Sequence, residues 1–215
     1  MQKNNFGRLI IKEACVEDLA QAIKAEQLGA DRIELCANLQ EDGLTPDFQT
    51  ITAVRQQLKI PVRVMVRPHA KSFTYHEKDL EEMIRTIRFC HSAGVEGVVF
   101  GALHDNGEVD MGTTKMLIEN AKGLKTVFHR AVDYSADWSR AVSVLLQESR
   151  LDAILTSGGP GGCMENKERI SSLLAKSGNT EIVVCGKVTR ENFQEVDRTF
   201  KNISYHGRKI VGDVT

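Results

Sequence analysis

Short apolar runs recur along the chain, each a few residues after a helix-like stretch that ends in glycine or a polar residue. They sit in LGADRIEL (28–35), AGVEGVVF (93–100), KGLKTVFH (122–129), SRLDAILT (149–156) and SGNTEIVV (177–184). Taken at the second residue of each copy, the spacings are 65, 29, 27 and 28 residues. The long first gap holds two units, because KIPVRVMV (59–66) lies near its middle. Such a period accommodates one strand, one loop and one helix. The intervening segments carry the helical period. Leu80, Met83, Ile84, Ile87 and Cys90 form one stripe, with Thr74 and Glu77 at capping-box spacing upstream and Gly94 placed for a left-handed cap. Shorter stripes are Leu19, Ala22 and Ile23 before Gly29, and Ile170, Leu173 and Leu174 before Gly178.

Eight strands are predicted, at 9–15, 31–36, 62–67, 96–100, 124–129, 152–156, 181–185 and 203–206. Alternating β and α units demand parallel strands with right-handed crossovers. Eight of them predict an α/β fold of the (β/α)8 TIM-barrel type, at a lean 27 or so residues per unit. Only about nine residues follow the last strand, so the eighth helix is expected to be reduced or missing. A doubly wound open sheet is the competing architecture. It is disfavoured because no G-x-G-x-x-G follows the first strand and SGGPGGC (157–163) has the wrong offsets. With no linker or low-complexity tract, residues 1–215 are expected to form a single domain.

Strand parity then sorts side chains. Ile33 and Leu35 share one face of the second strand and Val62, Val64 and Val66 one face of the third; these aliphatic faces must meet the helices. Arg32, Glu34, Cys36, Arg63, Met65 and Arg67 are left for the barrel interior, joined by Glu13 and Cys15 from the first strand. Charges there must pair, and an ion-pair network of Glu13, Arg32, Glu34, Arg63 and Arg67 is expected. For Arg32 and Arg63, deep in their strands, a purely structural role competes with a functional one.

Composition narrows the function classes. The 215 residues are 41% hydrophobic with 28 basic and 29 acidic side chains, which excludes a nucleic-acid footprint and argues against disorder. No stretch is long and apolar enough for a membrane span, and Leu9 to Ile11 is too short an apolar run for a signal peptide, so a cytoplasmic protein is expected. Five cysteines without a C-x-x-C pair fit reduced thiols rather than a disulfide framework or zinc ribbon.

Barrel active sites lie at the C-terminal ends of the strands. That criterion selects Cys15, Cys36, Asn38, Arg67, His129, Arg130, Asp133, Thr156, Ser157, Cys185 and His206. The parity of the fifth strand leaves the direction of His129 open, and a solvated strand end competes as the reading of His206.

LGADRIELCANLQEDGLTP (28–46), IPVRVMVRP (60–68), GVEGVVFGAL (94–103), VFHRAVD (127–133) and ILTSGG (154–159) together resemble the CutC copper homeostasis family, over about residues 9–207. The resemblance implies a TIM-type barrel in the cytoplasm, an association with copper tolerance, Cu(I) binding and homo-oligomers. It also implies two cysteine ligands, which match Cys15 and Cys36. The chain departs from the family pattern after the seventh strand, where Cys185-Gly186-Lys187-Val188 replaces a Gly-rich run and argues against a phosphate cradle there. The short segment after the last strand is a second departure, implying an open or partner-covered flank.

Two chemistries follow. Cu(I) prefers thiolate and thioether donors, and strands lie about 4.8 Å apart, so inward thiols of Cys15 and Cys36 can share one ion, with Met65 as a third soft ligand. Against this, a buried cysteine commonly serves as a small hydrophobe, the role expected of Cys90, while Cys163 is incidental and Cys185 intermediate. The alternative is an enzyme acting on a small anionic, phosphorylated or carboxylated ligand. Glu13, Glu34 and His129 would supply acid–base groups, and Arg67 and Arg130 a clamp. Asp133, Thr156, Ser157 and Gly158 complete the substrate-binding set, the loop N–H groups being candidate phosphate donors. For Arg67 the competing role is to satisfy loop carbonyls. A non-catalytic scaffold is the third possibility.

Overall fold

Val, Ile or Leu occurs in the first seven of the eight strands, and residues that favour a pleated, half-buried surface build strands there. A computed structural model of the chain describes residues 2–3 and 9–215. The strands are β1 (Leu9–Val16), β2 (Arg32–Leu35), β3 (Val62–Met65), β4 (Gly97–Phe100), β5 (Lys125–Phe128), β6 (Ala153–Thr156), β7 (Glu181–Val184) and β8 (Ser204–Gly207). Each pairs in parallel with the next, and β8 returns to β1 with His206 opposite Glu13, closing the barrel. A short strand, Gln2–Lys3, adds antiparallel to the start of β1.

Seven α-helices separate the strands among the described residues: α1 (Leu19–Gln27), α2 (Phe48–Gln57), α3 (Glu77–Ala93), α4 (Met111–Asn120), α5 (Trp138–Leu146), α6 (Lys167–Leu174) and α7 (Phe193–Phe200). Four start alike. Asp18, Asp47, Asp110 and Asp137 accept backbone N–H groups from Gln21, Thr50, Thr113 and Arg140 at 2.8–3.0 Å, caps worth about 1 kcal/mol each. The start of α3 differs from expectation. Its capping pair is His76 and Asp79, whose carboxylate accepts the His76 N–H at 2.9 Å, so Thr74 and Glu77 are not the box. Gly94 closes the helix at φ 71°, as expected. Among the described residues no helix follows β8, and none of the described helices is long and apolar enough to cross a membrane.

Parity works as read. Ile33, Leu35, Val62, Val64 and Val66 pack outward into the layer shared with the helices. A second apolar cluster fills the barrel interior with Cys15, Cys36, Leu39, Met65, Val99, Val127, Ala153, Leu155, Val183 and Cys185. Cys90 lies in the outer layer on α3, and all five cysteines are free thiols.

The interior charges pair at the N-terminal end of the barrel. Arg32 bonds Glu13 and, at 2.8 Å, Glu181. Arg63 reaches Glu181 at 2.9 Å, Glu96 at 3.2 Å and Glu13 at 3.4 Å. The network therefore forms from Glu13, Arg32 and Arg63 as expected, but Glu96 and Glu181 complete it. Glu34 and Arg67 belong instead to the opposite rim, because each lies nearer the C-terminal end of its strand.

Candidate functional site at the C-terminal rim

The register that sets Cys15 beside Glu34 across β1 and β2 also brings Cys36, the residue after β2, to the same place. The Cys15 and Cys36 sulfurs are 3.8 Å apart, and the Glu34 Oε1 lies 3.8 Å from the first and 3.5 Å from the second. His206 of β8 joins them. Its Nδ1 is 2.9 Å from Glu13 Oε1, its Nε2 is 4.0 Å from Glu34 Oε1, and its charge favours ionisation of Cys15. The sequence reading left His206 as a possible solvated strand end. At 9% exposure it is buried, and the signal for it was the parity that puts Ser204 and His206 inward and Tyr205 outward.

These groups divide their protons unequally. A hydrogen bond from Cys36 is the largest influence on Cys15; with His206 and Arg208 it outweighs burial and brings the thiol down to about 5. Cys36, donating to that thiolate and buried beside it, is pushed well up. Burial raises Glu34 to about 8 despite His206. His206 is raised because Glu34, Cys15 and Glu13 together outweigh its burial. Burial opposes ionisation of Glu13, but Arg32, His206 and Arg63 hold it well below the usual carboxylate range. These directions favour a thiolate at Cys15, a thiol at Cys36 and an imidazolium at His206 paired with Glu13.

Cys15 and Glu34 line a rim cavity of about 90 Å³, together with Met65, Arg67, His129, Arg130, His206 and Arg208. His129 thus points inward, resolving the parity left open. It does so because β5 ends at Phe128 and His129 caps a 3₁₀ turn, Arg130–Tyr134, its Nδ1 accepting the Ala131 N–H at 3.1 Å. Gly101 makes room for the ring, since a Cβ there would stand 2.5 Å from that Nδ1. Arg67 donates to the carbonyls of Glu41 (2.8 Å) and Gly43 (3.0 Å) under the Phe73 ring. It therefore combines the loop-satisfying role with a place on the cavity wall. Glu13, a candidate acid–base residue, does not line the cavity; it is held in the ionic network and orients His206.

The loop after β6 is not an open anion cradle. The Asp133 carboxylate occupies it, accepting from the N–H groups of Ser157 (2.8 Å) and Gly159 (3.0 Å) and from the hydroxyls of Ser157 (2.8 Å) and Thr156. Gly158 N–H is taken by Thr156 Oγ1 at 2.9 Å, and Arg130 pairs with Asp133 at 3.3 Å. Asp133, Thr156, Ser157 and Gly158, expected on a ligand, bind one another. Cys185 sits in the interior apolar cluster and Cys163 in the outer one.

A closed parallel (β/α)8-type barrel with a thiol pair, a carboxyl and an imidazole at its C-terminal rim defines a TIM-barrel protein with a metal-competent sulfur site. The CutC family model matches residues 10–210, and the chain belongs to that family. A CutC family protein of Xylella fastidiosa is 38% identical over 174 residues, 81% of this chain. The chain covers 65% of that relative's length, a little under two thirds. The human copper homeostasis protein cutC homolog is 35% identical over 187 residues, covering 86% of this chain and 68% of that protein. The crystal structure of a CutC protein from Streptococcus agalactiae superposes with a TM-score of 0.87 at 30% identity, over 94% of this chain and 100% of that one.

Proposed function

We propose that this chain is a copper homeostasis protein that holds Cu(I) at the rim between Cys15 and Cys36. The observation that carries the reading is the 3.8 Å separation of the two sulfurs, brought together from different strands 21 residues apart in sequence. Thiolate–metal bonds of the length seen at zinc, about 2.3 Å, would need sulfurs about 4.6 Å apart for a linear arrangement. The shorter separation suits a bent one with a third donor. Thiolates are the soft ligands Cu(I) favours, and imidazole is acceptable to it. His206 supports the reading, because its Nδ1 is already held by Glu13, the carboxylate–histidine pairing that orients metal-binding imidazoles. Met65, on the same wall, offers a thioether, whereas the hard oxygen of Glu34 suits Cu(I) poorly. Binding at this site displaces the Cys36 proton and the His206 proton, so affinity rises with pH. A cytoplasmic place of action goes with five free thiols, which a reducing compartment preserves.

The test is an anaerobic titration of reduced protein with Cu(I) against a competing chelator. One tightly held equivalent is expected, lost in a Cys15→Ser/Cys36→Ser double variant. Equal, weak binding by both proteins removes the reading.

A further inference from the structure

The rim cavity holds donors that the thiol pair does not use. Five buried side-chain polar atoms lack a hydrogen-bond partner among the described residues, and three belong to residues lining this cavity: Arg67 Nε, His129 Nε2 and Glu34 Oε2. Arg67 is 5% exposed, yet its guanidinium donates to two neutral carbonyls and has no ion pair with a described carboxylate. A buried guanidinium without a counter-ion is strongly unfavourable until an anion arrives. Phe73 lies under the face of that guanidinium, 4.9 Å from its centre, and leaves the in-plane Nε–H without an acceptor. His129, 3% exposed, accepts a backbone N–H at Nδ1, so its proton sits on Nε2 and makes that atom a donor. Arg130, Arg208 and His206 stand on the same wall against the Asp42 carboxyl and the Cys15 thiolate, so cationic groups predominate.

We propose that the rim cavity binds a small carboxylate whose oxygens accept from the Nε–H of Arg67 and the Nε2–H of His129. Two N–H donors from the ends of different strands, one of them on a cation, match an anionic group that only accepts. Size limits the ligand. About 150 Å³ holds a six-carbon ring, so the 90 Å³ here takes on the order of four heavy atoms, the bulk of an acetate group. The site shares its cavity with Cys15, Met65 and His206 of the Cu(I) reading, but its two donors, Arg67 and His129, lie outside that metal donor set.

Calorimetric titration of metal-free protein with acetate, alongside inorganic phosphate and chloride, tests it. The same samples give the His129 side-chain nitrogen resonances by NMR. One saturable equivalent of acetate is expected, with a shift of the His129 Nε2 resonance. His129→Asn, which keeps an N-cap acceptor, and Arg67→Lys, which keeps the charge, should each weaken binding about tenfold. Because the titration uses metal-free protein, its outcome is read separately from that of the Cu(I) titration. Absence of heat and of any Nε2 shift up to about 50 mM acetate overturns the proposal, since that far exceeds a millimolar dissociation constant. So does equal affinity for chloride or phosphate, or unchanged binding in folded variants. The resonance of the unaltered protein decides the matter if a variant fails to fold.

Discussion

His129 should make this barrel acid-sensitive, and the size of the effect follows from its surroundings. Burial, then the nearby charges of Arg67 and Arg130, bring the imidazole from an ordinary 6.5 down to about 3, despite an opposing backbone hydrogen bond. The unfolded chain therefore takes up a proton near pH 6.5 that the folded chain refuses until about pH 3. Within that window the unfolded state binds more protons, so stability falls as pH falls, by about 1.4 kcal/mol per unit. Between about pH 7.5 and about pH 5 the loss attributable to His129 is about 2 kcal/mol, large against a total of roughly 5–15. The perturbation is His129→Asn and the assay is urea unfolding, followed by circular dichroism, at both pH values. The variant will start less stable, because it loses packing against Phe73 and Phe128. What matters is the difference of differences, in which every other titrating group cancels. The parent should lose about 2 kcal/mol more than the variant on acidification. Equal losses would show that the folded protein accepts the proton, and that the ring is neither as buried nor as neutral as its contacts require.

Two further outcomes are expected. Arg63→Met removes the partner shared by Glu13, Glu96 and Glu181 and should cost about 3–5 kcal/mol, read as a lowered urea midpoint; a loss below about 1 kcal/mol would show that the network is energetically idle. Alkylation of reduced protein near neutral pH should mark Cys15 first, because it is the thiolate and lines the cavity, while Cys36 is held protonated; mass spectrometry finding Cys36 labelled at the same rate would refute that division.

The barrel was legible because two periods alternate through the whole chain, and the interior because parity is unforgiving: with Ile33 and Leu35 outward, Glu34 has only the lumen. Other features depended on tertiary detail. Asp133 lies 23–26 residues from the hydroxyls and N–H groups it occupies, and nothing local announces that a side chain fills the loop a ligand was expected to enter. His129 lies one residue past its strand, where alternation no longer governs direction, and the 3₁₀ turn decides instead. His206 was visible as a strand end, yet its importance comes from Glu13, 193 positions away, which barrel closure sets opposite it. The capping pair of α3 slipped because both Thr74–Glu77 and His76–Asp79 have the required spacing, and the chain enters the helix at the second.

Glu13 divides its two oxygens between the two ends of the barrel. Oε2 meets Arg32 and Arg63 at the foot of the barrel, while Oε1 meets His206 beneath the thiols. The foundation and the working end are thus wired in series through one carboxylate. Grafting the rim loops onto another barrel would leave the imidazole without its anchor unless the basic pair below came too.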